Sequence, residues 1–392
     1  MNYPDVVMLA LPRWDEKFSS TAFSLAKQLA MQTRVFYIDN PYTWKDVLAS
    51  NRNPSVLKRI PALIWGRKWF CYPDPVQPNL VAVTPPVIFP INFLPHGAIY
   101  RLFARINNTL VKLCLTRVLR AYHIHNFIFV NSYNPFYLLD VENFKPRKKI
   151  YHCVDNISAS KYVGKHGAYL EPEMIRKFDL TLTTSSKLTT YARQFTKSVC
   201  LLPNAADFDL FSSPANRPST LSGLSKKVIG YIGSVDHRVD YNLLKSLAIS
   251  LPDYTLLLVG PLSSEFEVSG LGNLKNVVTT GAKDIKELPN YLSVMDCAII
   301  PFVCNELTSC IYPLKLNEYL AAGKPVVATP FSVDLNNFKT VILVAEAKAF
   351  VAAIELALKD RGVDAVLRRK EVAASNTWKS RVDEFWKLID NK

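Results

Sequence analysis

The second half of the chain holds several residue types that could serve one ligand. Pro313 stands ahead of Leu314, Lys315 and Glu318, so a helix-opening proline is followed by a cation in the first turn and a carboxylate one turn on. Upstream, Gly233 and Ser234 close the apolar run 228–232, where a residue without a Cβ lets the backbone come close to a bound group. A tight turn, a helix N-terminus, a cation and a carboxylate are what a nucleoside diphosphate asks for its phosphates and its ribose hydroxyls. The plain alternative for Lys315 and Glu318 is an exposed ion pair on one helix face, and for Gly233 a simple turn glycine.

The first half offers acid–base chemistry. In the run 150–154, side-chain alternation puts Tyr151, Cys153 and Asp155 on one face and His152 on the other, and Asp155 emerges into the following loop. Asp155 is therefore the candidate general base and His152 the second choice, with a helix-capping or turn role as the bland reading of Asp155. Arg13 and Asp15, in the first turn of the chain, could meet a substrate phosphate, or simply form a surface salt bridge.

These residues need strands and helices to position them. An apolar strand over 5–11, a polar turn, a helical stretch opened by Ser19, Ser20 and Thr21, and a strand over 34–38 read as the start of a doubly wound α/β domain. Further strands are expected at 127–130, 150–154, 180–183 and 199–202, and a Ser, Pro, Asn and Thr stretch at 212–225 reads as an interdomain linker. A second α/β unit then begins afresh: strands over 228–232, 254–259, 277–280, 297–301 and 326–328, with helices over 241–251, 285–293 and 314–322. The tail 363–392 reads as helix, with Trp378, Val382, Phe385 and Trp386 as its apolar stripe. The proline-rich apolar stretch 85–95 is neither helix nor regular strand and reads as a substrate-side loop or an ordinary buried one.

Charge separates the two halves. Residues 1–200 hold 26 Lys and Arg against 12 Asp and Glu, which accounts for the whole net charge of +14. Within 41–120 the count is 11 basic to 2 acidic, interleaved with Trp44, Leu57, Ile60, Ile64, Trp65, Trp69 and Phe70. That mixture suits an anionic membrane surface, with Lys58, Arg59, Arg67 and Lys68 as its cationic centre, although a solvated basic face is the simpler reading. No nucleic-acid reader motif accompanies the charge, so no nucleic-acid partner is expected. Apolar runs fall far short of a membrane span, acidic Asp5 precedes the first of them, and the seven cysteines show no Cys-x-x-Cys pair. A cytoplasmic protein, peripherally attached to the inner membrane face, with reduced thiols and no structural zinc, is the expectation.

The stretch 276–330 carries Gly281, Glu287-Leu288-Pro289, Asp296, Pro301-Phe302, Asn305-Glu306-Leu307-Thr308, Pro313-Leu314-Lys315 and Glu318 through Val327. With Ile229 to Ser234, Leu258 to Pro261 and Pro203 to Asp207, it resembles the donor-binding half of GT-B glycosyltransferases, near the family 4 enzymes that build bacterial cell-surface polysaccharides. The resemblance implies two Rossmann-like domains facing a cleft, with 1–205 for the acceptor, 206–375 for the donor, and a terminal helix over 376–392 returning to the first domain. It implies a hexosyltransferase that uses a nucleotide sugar, UDP-linked by expectation, as substrate, with no separate cofactor. The acceptor would be lipid-linked or a polysaccharide, for O-antigen, capsule or exopolysaccharide synthesis.

In that pattern Glu318 binds the donor ribose and Lys315 the phosphates, while Gly233, Ser234, Gly281, Thr308, Pro313 and Leu314 line the nucleotide. Asn305 and Glu306 are candidates for the donor sugar, and Arg13 and Asp15 for the acceptor side. The family's usual glutamate, eight positions before Glu318, is replaced by Cys310, which leaves retaining and inverting outcomes both open. GT-B enzymes neutralise the leaving diphosphate without a metal, so Asp207 and Asp209, although spaced Asp-x-Asp, are not expected to bind one. The alternatives are a GT-B nucleotide-sugar epimerase and a non-catalytic membrane-binding GT-B protein; oligomeric state is left open.

Overall fold

A computed structural model describes residues 3–16, 20–49, 53–160, 162–224 and 227–390. The chain divides into two compact units, Met1–Leu202 with Val382–Lys392, and Pro203–Arg381.

The first unit is built on β1 (Asp5–Ala10), β2 (Val35–Ile38), β3 (Phe70–Cys71), β4 (Leu80–Val83), β5 (Phe127–Ser132), β6 (Lys148–Cys153), β7 (Leu180–Thr183) and β8 (Val199–Leu201). Their order is β3-β4-β2-β1-β5-β6-β7-β8, parallel except for the β3–β4 pair. Val6 to Ala10 are wholly buried, the near-continuous apolar run expected of a parallel strand covered on both faces. The order reverses between β1 and β5, so the crevice outside their carboxyl ends is where this topology places a ligand.

Helices α1 (Thr21–Leu29), α2 (Trp44–Leu48), α3 (Pro54–Leu63), α4 (Ala98–Ala121) and α5 (Gly164–Lys177) cover the sheet. Ser20 caps α1 by accepting the Phe23 amide, while Ser19, expected to share in opening that helix, lies outside the described residues. Thr43 and Asp46 form a reciprocal capping box on α2. The 24-residue α4 was not apparent from sequence periodicity. Its apolar residues fall on both faces: Val111, Cys114, Leu115 and Val118 are buried, whereas Ile99, Leu102, Ile106 and Leu113 are exposed.

The second unit is a six-stranded sheet of β9 (Val228–Ile232), β10 (Thr255–Val259), β11 (Val277–Thr279), β12 (Cys297–Ile300), β13 (Val326–Ala328) and β14 (Val341–Leu343). The order is β11-β10-β9-β12-β13-β14, all parallel, and it reverses between β9 and β12. The stretch 212–225, read as a linker, is not one over its described residues 212–224. The division falls at Leu202, and Leu221, 3% exposed, joins the core of the second unit, while Arg217 donates to the Leu221 carbonyl.

The tail is two helices, Val363–Ala374 and Trp378–Asp390, broken where the Thr377 hydroxyl accepts the Ser380 amide. The second carries Val382, Phe385, Trp386 and Ile389 into the first unit, where Trp386 stacks on Tyr3 at 4.2 Å and Lys148 donates to the Ile389 carbonyl.

Candidate active site

In the second unit, Gly233 follows β9 with φ +143°, a conformation that L side chains rarely adopt. A Cβ there would collide with Lys315 Cε and come within 2.9 Å of Lys315 Nζ, so the lysine lies directly over the glycine. Gly260, after β10, is fixed in the same way, since its Cβ would strike the Gly233 carbonyl. Lys315 comes from the helix Leu314–Ala321, which has Pro313 at its N-cap. Leu314 and Leu316 amides bond to Tyr312 and Pro313 carbonyls, so the helix start presents fewer free donors than its sequence suggests.

Lys315 and Glu318 are both partly buried, and neither makes a hydrogen bond or ion pair among the described residues. The exposed ion pair that their spacing allows is therefore not formed. Burial pulls the Lys315 ammonium down, helped by the charge of Arg238, and pushes Glu318 up to about 7 against the opposing pull of Lys315. A partly buried ammonium and carboxylate with perturbed titration, at the β9–β12 switch point, form the kind of pattern that marks a candidate ligand site.

Arg238 was missed in the sequence, although it lies in the loop that follows Gly233. Its guanidinium grips Asp236 through two bonds, Nε to Oδ1 at 2.9 Å and Nη2 to Oδ2 at 2.6 Å, which holds a second cation near Lys315. Ser234, partly buried, gives its carbonyl to the Tyr231 hydroxyl. Gly281 follows β11 at φ +68°, and its carbonyl accepts the Gly260 amide. Thr308 is wholly buried and its hydroxyl bonds to the Val303 carbonyl, while Asn305 accepts the Thr308 amide as a helix cap. The wholly buried Thr308 side chain builds the loop, which corrects the expectation that it lines the nucleotide, whereas Asn305 caps the helix and stays exposed. Glu306 is exposed in the first turn of Glu306–Ser309, and Cys310 is buried. Asp207 caps Phe208–Ser212 by accepting the Leu210 amide.

In the first unit, β6 alternates as its sequence requires. The Tyr151 hydroxyl and Cys153 thiol both reach Glu171 Oε1 on α5, while His152 meets Ser132 on β5 at 3.0 Å from the other face. His152 is 1% exposed, sealed within the sheet, and burial pushes it down to about 4, so it is a weak base with no access to an acceptor hydroxyl, which counts against it as the alternative base. Asp155, two residues beyond the strand, is partly buried and accepts the Asn156 amide at 2.8 Å. Tyr133 holds a left-handed φ of +58° after β5, with its amide on the His152 carbonyl. Burial, and then the charge of Asp155, push its phenol up, which marks it as a neighbour of Asp155. Glu171, buried and also bonded by the Tyr191 hydroxyl, is pushed up to about 7 by burial against the pull of its phenol donors.

Asp15 and Arg13 divide in role. Asp15 forms a two-bond ion pair with Arg59 at 2.7 and 2.8 Å, and Arg59 also holds Asp39 at 2.9 Å. Against the upward pull of burial, the Arg59 guanidinium keeps Asp15 below its ordinary range. Asp15 is thus an internal anchor, not a free acceptor-side group. Arg59, only 6% exposed, is not part of any cationic surface either. Arg13 instead donates to the Asn40 and Pro41 carbonyls and lies over the Tyr42 ring at 3.7 Å. It lines a cavity of about 320 Å³ together with Ile88, Phe89, Ile91 and Asn92 of the proline-rich stretch.

Two doubly wound sheets of this kind are the two Rossmann-like domains of the GT-B glycosyltransferase fold. Residues 226–360 match the family described as glycosyl transferases group 1. Over 137 residues the chain is 39% identical to TuaH of Bacillus subtilis strain 168, named as a teichuronic acid biosynthesis glycosyltransferase, and the match takes in 34% of each protein. The chain thus spans about a third of that relative's length. Sucrose-phosphate synthase from Thermosynechococcus elongatus shares the fold with a TM-score of 0.69 at 14% identity over 99% of both chains. Anabaena Alr3699/HepE, solved in complex with UDP, gives 0.65 at 14% identity, covering 99% of this chain and 100% of that one.

Proposed function

We propose that the protein is a metal-independent glycosyltransferase of polysaccharide biosynthesis, taking a sugar from a UDP-linked donor. The observation that carries this reading is Lys315 over Gly233 at the carboxyl edge of the second sheet, with Glu318 one turn on, neither side chain in a hydrogen bond or ion pair among the described residues. Support for the donor comes from Alr3699/HepE, a fold neighbour solved with UDP and with UDP-glucose, and for the pathway from the named role of TuaH. Glu318 accepts the ribose hydroxyls, and Lys315 with Arg238 supplies the positive charge that stabilises the departing diphosphate. In the transfer, an acceptor hydroxyl oxygen bonds to the anomeric carbon, the bond from that carbon to the diphosphate breaks, and Asp155 takes the hydroxyl proton. Incubation with a panel of nucleotide sugars and a polysaccharide-precursor acceptor should release UDP from one donor only when acceptor is present. Acceptor-free conversion of the donor sugar would point to an epimerase, and no conversion of any donor would remove the enzyme reading.

The geometry at Gly233 makes a sharp prediction. Gly233→Ala must strain the backbone by about 1–3 kcal/mol and displace Lys315, so both the melting temperature and the affinity for UDP should fall. A folded variant of unchanged melting temperature and UDP affinity by calorimetry would show that this glycine is a simple turn residue.

Membrane attachment belongs to the same reading, supported by exposed Trp44, Leu48, Leu57, Ile64 and Trp65 around α2 and α3 and by exposed Ile99, Leu102 and Ile106 on α4. No helix among the described residues is long and apolar enough to cross a membrane. Lys58, Arg67 and Lys68 are exposed, and each cation near an anionic surface contributes about 1 kcal/mol over a Debye length of roughly 8 Å. Replacing these three by Gln should release most of the protein from anionic vesicles in sedimentation, with the fold intact because Arg59 is left in place. Equal binding to neutral and anionic vesicles would end the electrostatic part of the claim.

A further inference from the structure

We propose that the cavity at the carboxyl ends of β1, β2, β4 and β5 is a subsite for an oxyanion, a phosphate or carboxylate carried by the acceptor, with the Arg13 guanidinium as its ligand. This rests on the transferase reading for the word acceptor, and on the first unit alone for the site.

The location is the first argument. Leu11 and Arg13 follow β1, Asn40 and Pro41 follow β2, Ile88 and Phe89 follow β4, and Phe136 and Tyr137 follow β5, and all of them line the one cavity. That is the switch point of the first sheet, the place where an open parallel sheet presents its loops to a ligand.

The second argument is the state of Arg13. Its Nε and Nη2 are fixed on the Asn40 and Pro41 carbonyls at 3.0 and 3.2 Å, and the Tyr42 ring supports its plane at 3.7 Å. Nη1 has no bond, and no carboxylate lies within ion-pair distance of the guanidinium, among the described residues. Asp15 and Asp39 are both bonded to Arg59, and the Glu16 carboxylate accepts the backbone amide of Arg13 at 3.0 Å, with no ion pair to its guanidinium among the described residues. Asp46, the carboxylate in the cavity wall, holds the Thr43 amide and hydroxyl at 2.8 Å each. A cation oriented in advance and left without a carboxylate is built to receive an anion in a bidentate or charge-assisted contact.

The third argument is rigidity. Asn107, wholly buried in α4, clamps Phe89 through both its backbone groups at 2.9 Å, and Tyr100 stacks on buried His166 at 4.0 Å. Phe89 and Tyr100, held in this way, are fixed walls beside the Arg13 guanidinium, in a lining that also includes the polar Asn40, Thr43, Asp46 and Asn92.

Equilibrium titration of the full chain tests this with two pairs of probes: geranyl phosphate against geraniol, and a glucuronic-acid disaccharide against its neutral glucose counterpart. At least one anionic probe should bind at least tenfold tighter than its neutral partner. A phosphate preference assigns the oxyanion to a lipid phosphate, and a carboxylate preference assigns it to an acidic sugar. Arg13→Gln should abolish that preference, and Ala104→Phe, which fills the cavity from α4 while keeping Arg13, should weaken the preferred probe at least tenfold. No preference in the native chain, a preference kept by folded Arg13→Gln, or an affinity for the preferred probe untouched by Ala104→Phe overturns the subsite, and the second variant decides if Arg13→Gln does not fold. UDP titrated into the same samples keeps the two ideas apart. A native chain with no anion preference that binds UDP normally sinks the subsite alone, whereas absent UDP binding sinks the donor reading.

Discussion

Asp155→Asn should lower sugar transfer by a factor of roughly 100 to 10,000 while leaving UDP affinity within about twofold of the native value. The substitution is close to isosteric, and the amide oxygen can still accept the Asn156 N–H that Asp155 Oδ1 now accepts at 2.8 Å. What it removes is the capacity to take a proton. The donor groups Lys315 and Glu318 belong to the other unit and should not notice the change. Turnover numbers with a saturating donor, set beside calorimetric UDP affinities, separate the effects. Near-normal transfer would strip Asp155 of its role, and His152, 1% exposed and a weak base, is poorly placed to inherit it. Loss of UDP binding together with transfer would mean that Asp155 holds the fold.

Residues close in sequence were legible, and residues paired across the fold were not. Pro313, Lys315 and Glu318 share one helix, so their spacing alone puts them within one and a half turns, and Gly233 could be read from its place at a strand end. The alternation of β6 separated His152 from Asp155 for the same local reason. Asp15, by contrast, is anchored by Arg59, 44 positions away, and nothing in a basic stretch marks which of its cations is buried. Glu171 behaves likewise, as its donors Tyr151 and Tyr191 each stand 20 positions off. The long α4 was hidden because it carries apolar residues on its exposed face as well as its inner one. Tyr133 was invisible for a further reason: a left-handed φ at a tyrosine is imposed by the strands that hold it, not by its own preference.

Glu318→Gln should make the unliganded protein more stable and the UDP complex weaker, two changes of opposite sign from one substitution. In the folded chain burial pushes Glu318 up to about 7, against an unfolded value near 4.5. Between those values the folded state holds more protons than the unfolded one, so native stability falls as pH rises through that window. Below about pH 4.5 the charge costs nothing, and above about 7 its full desolvation penalty, on the order of 1–3 kcal/mol, is present. Glutamine carries no charge at any pH. The variant should therefore melt higher than the native protein at pH 8 and at nearly the same temperature at pH 4.5. Glu171, also pushed up to about 7, contributes the same slope to both proteins and cancels from the comparison. For binding, the ionised carboxylate accepts ribose hydroxyls in charge-assisted bonds worth roughly 1.5–3 kcal/mol, so UDP affinity should drop about 10- to 150-fold at pH 8. Ionisation of UDP itself affects both proteins alike, so the difference in affinity should shrink as pH falls from 8 to 6, where native Glu318 takes up its proton. A variant less stable at pH 8 with unchanged UDP affinity would mean that Glu318 is a structural partner of Lys315, and the donor site would have to be sought elsewhere on the second sheet.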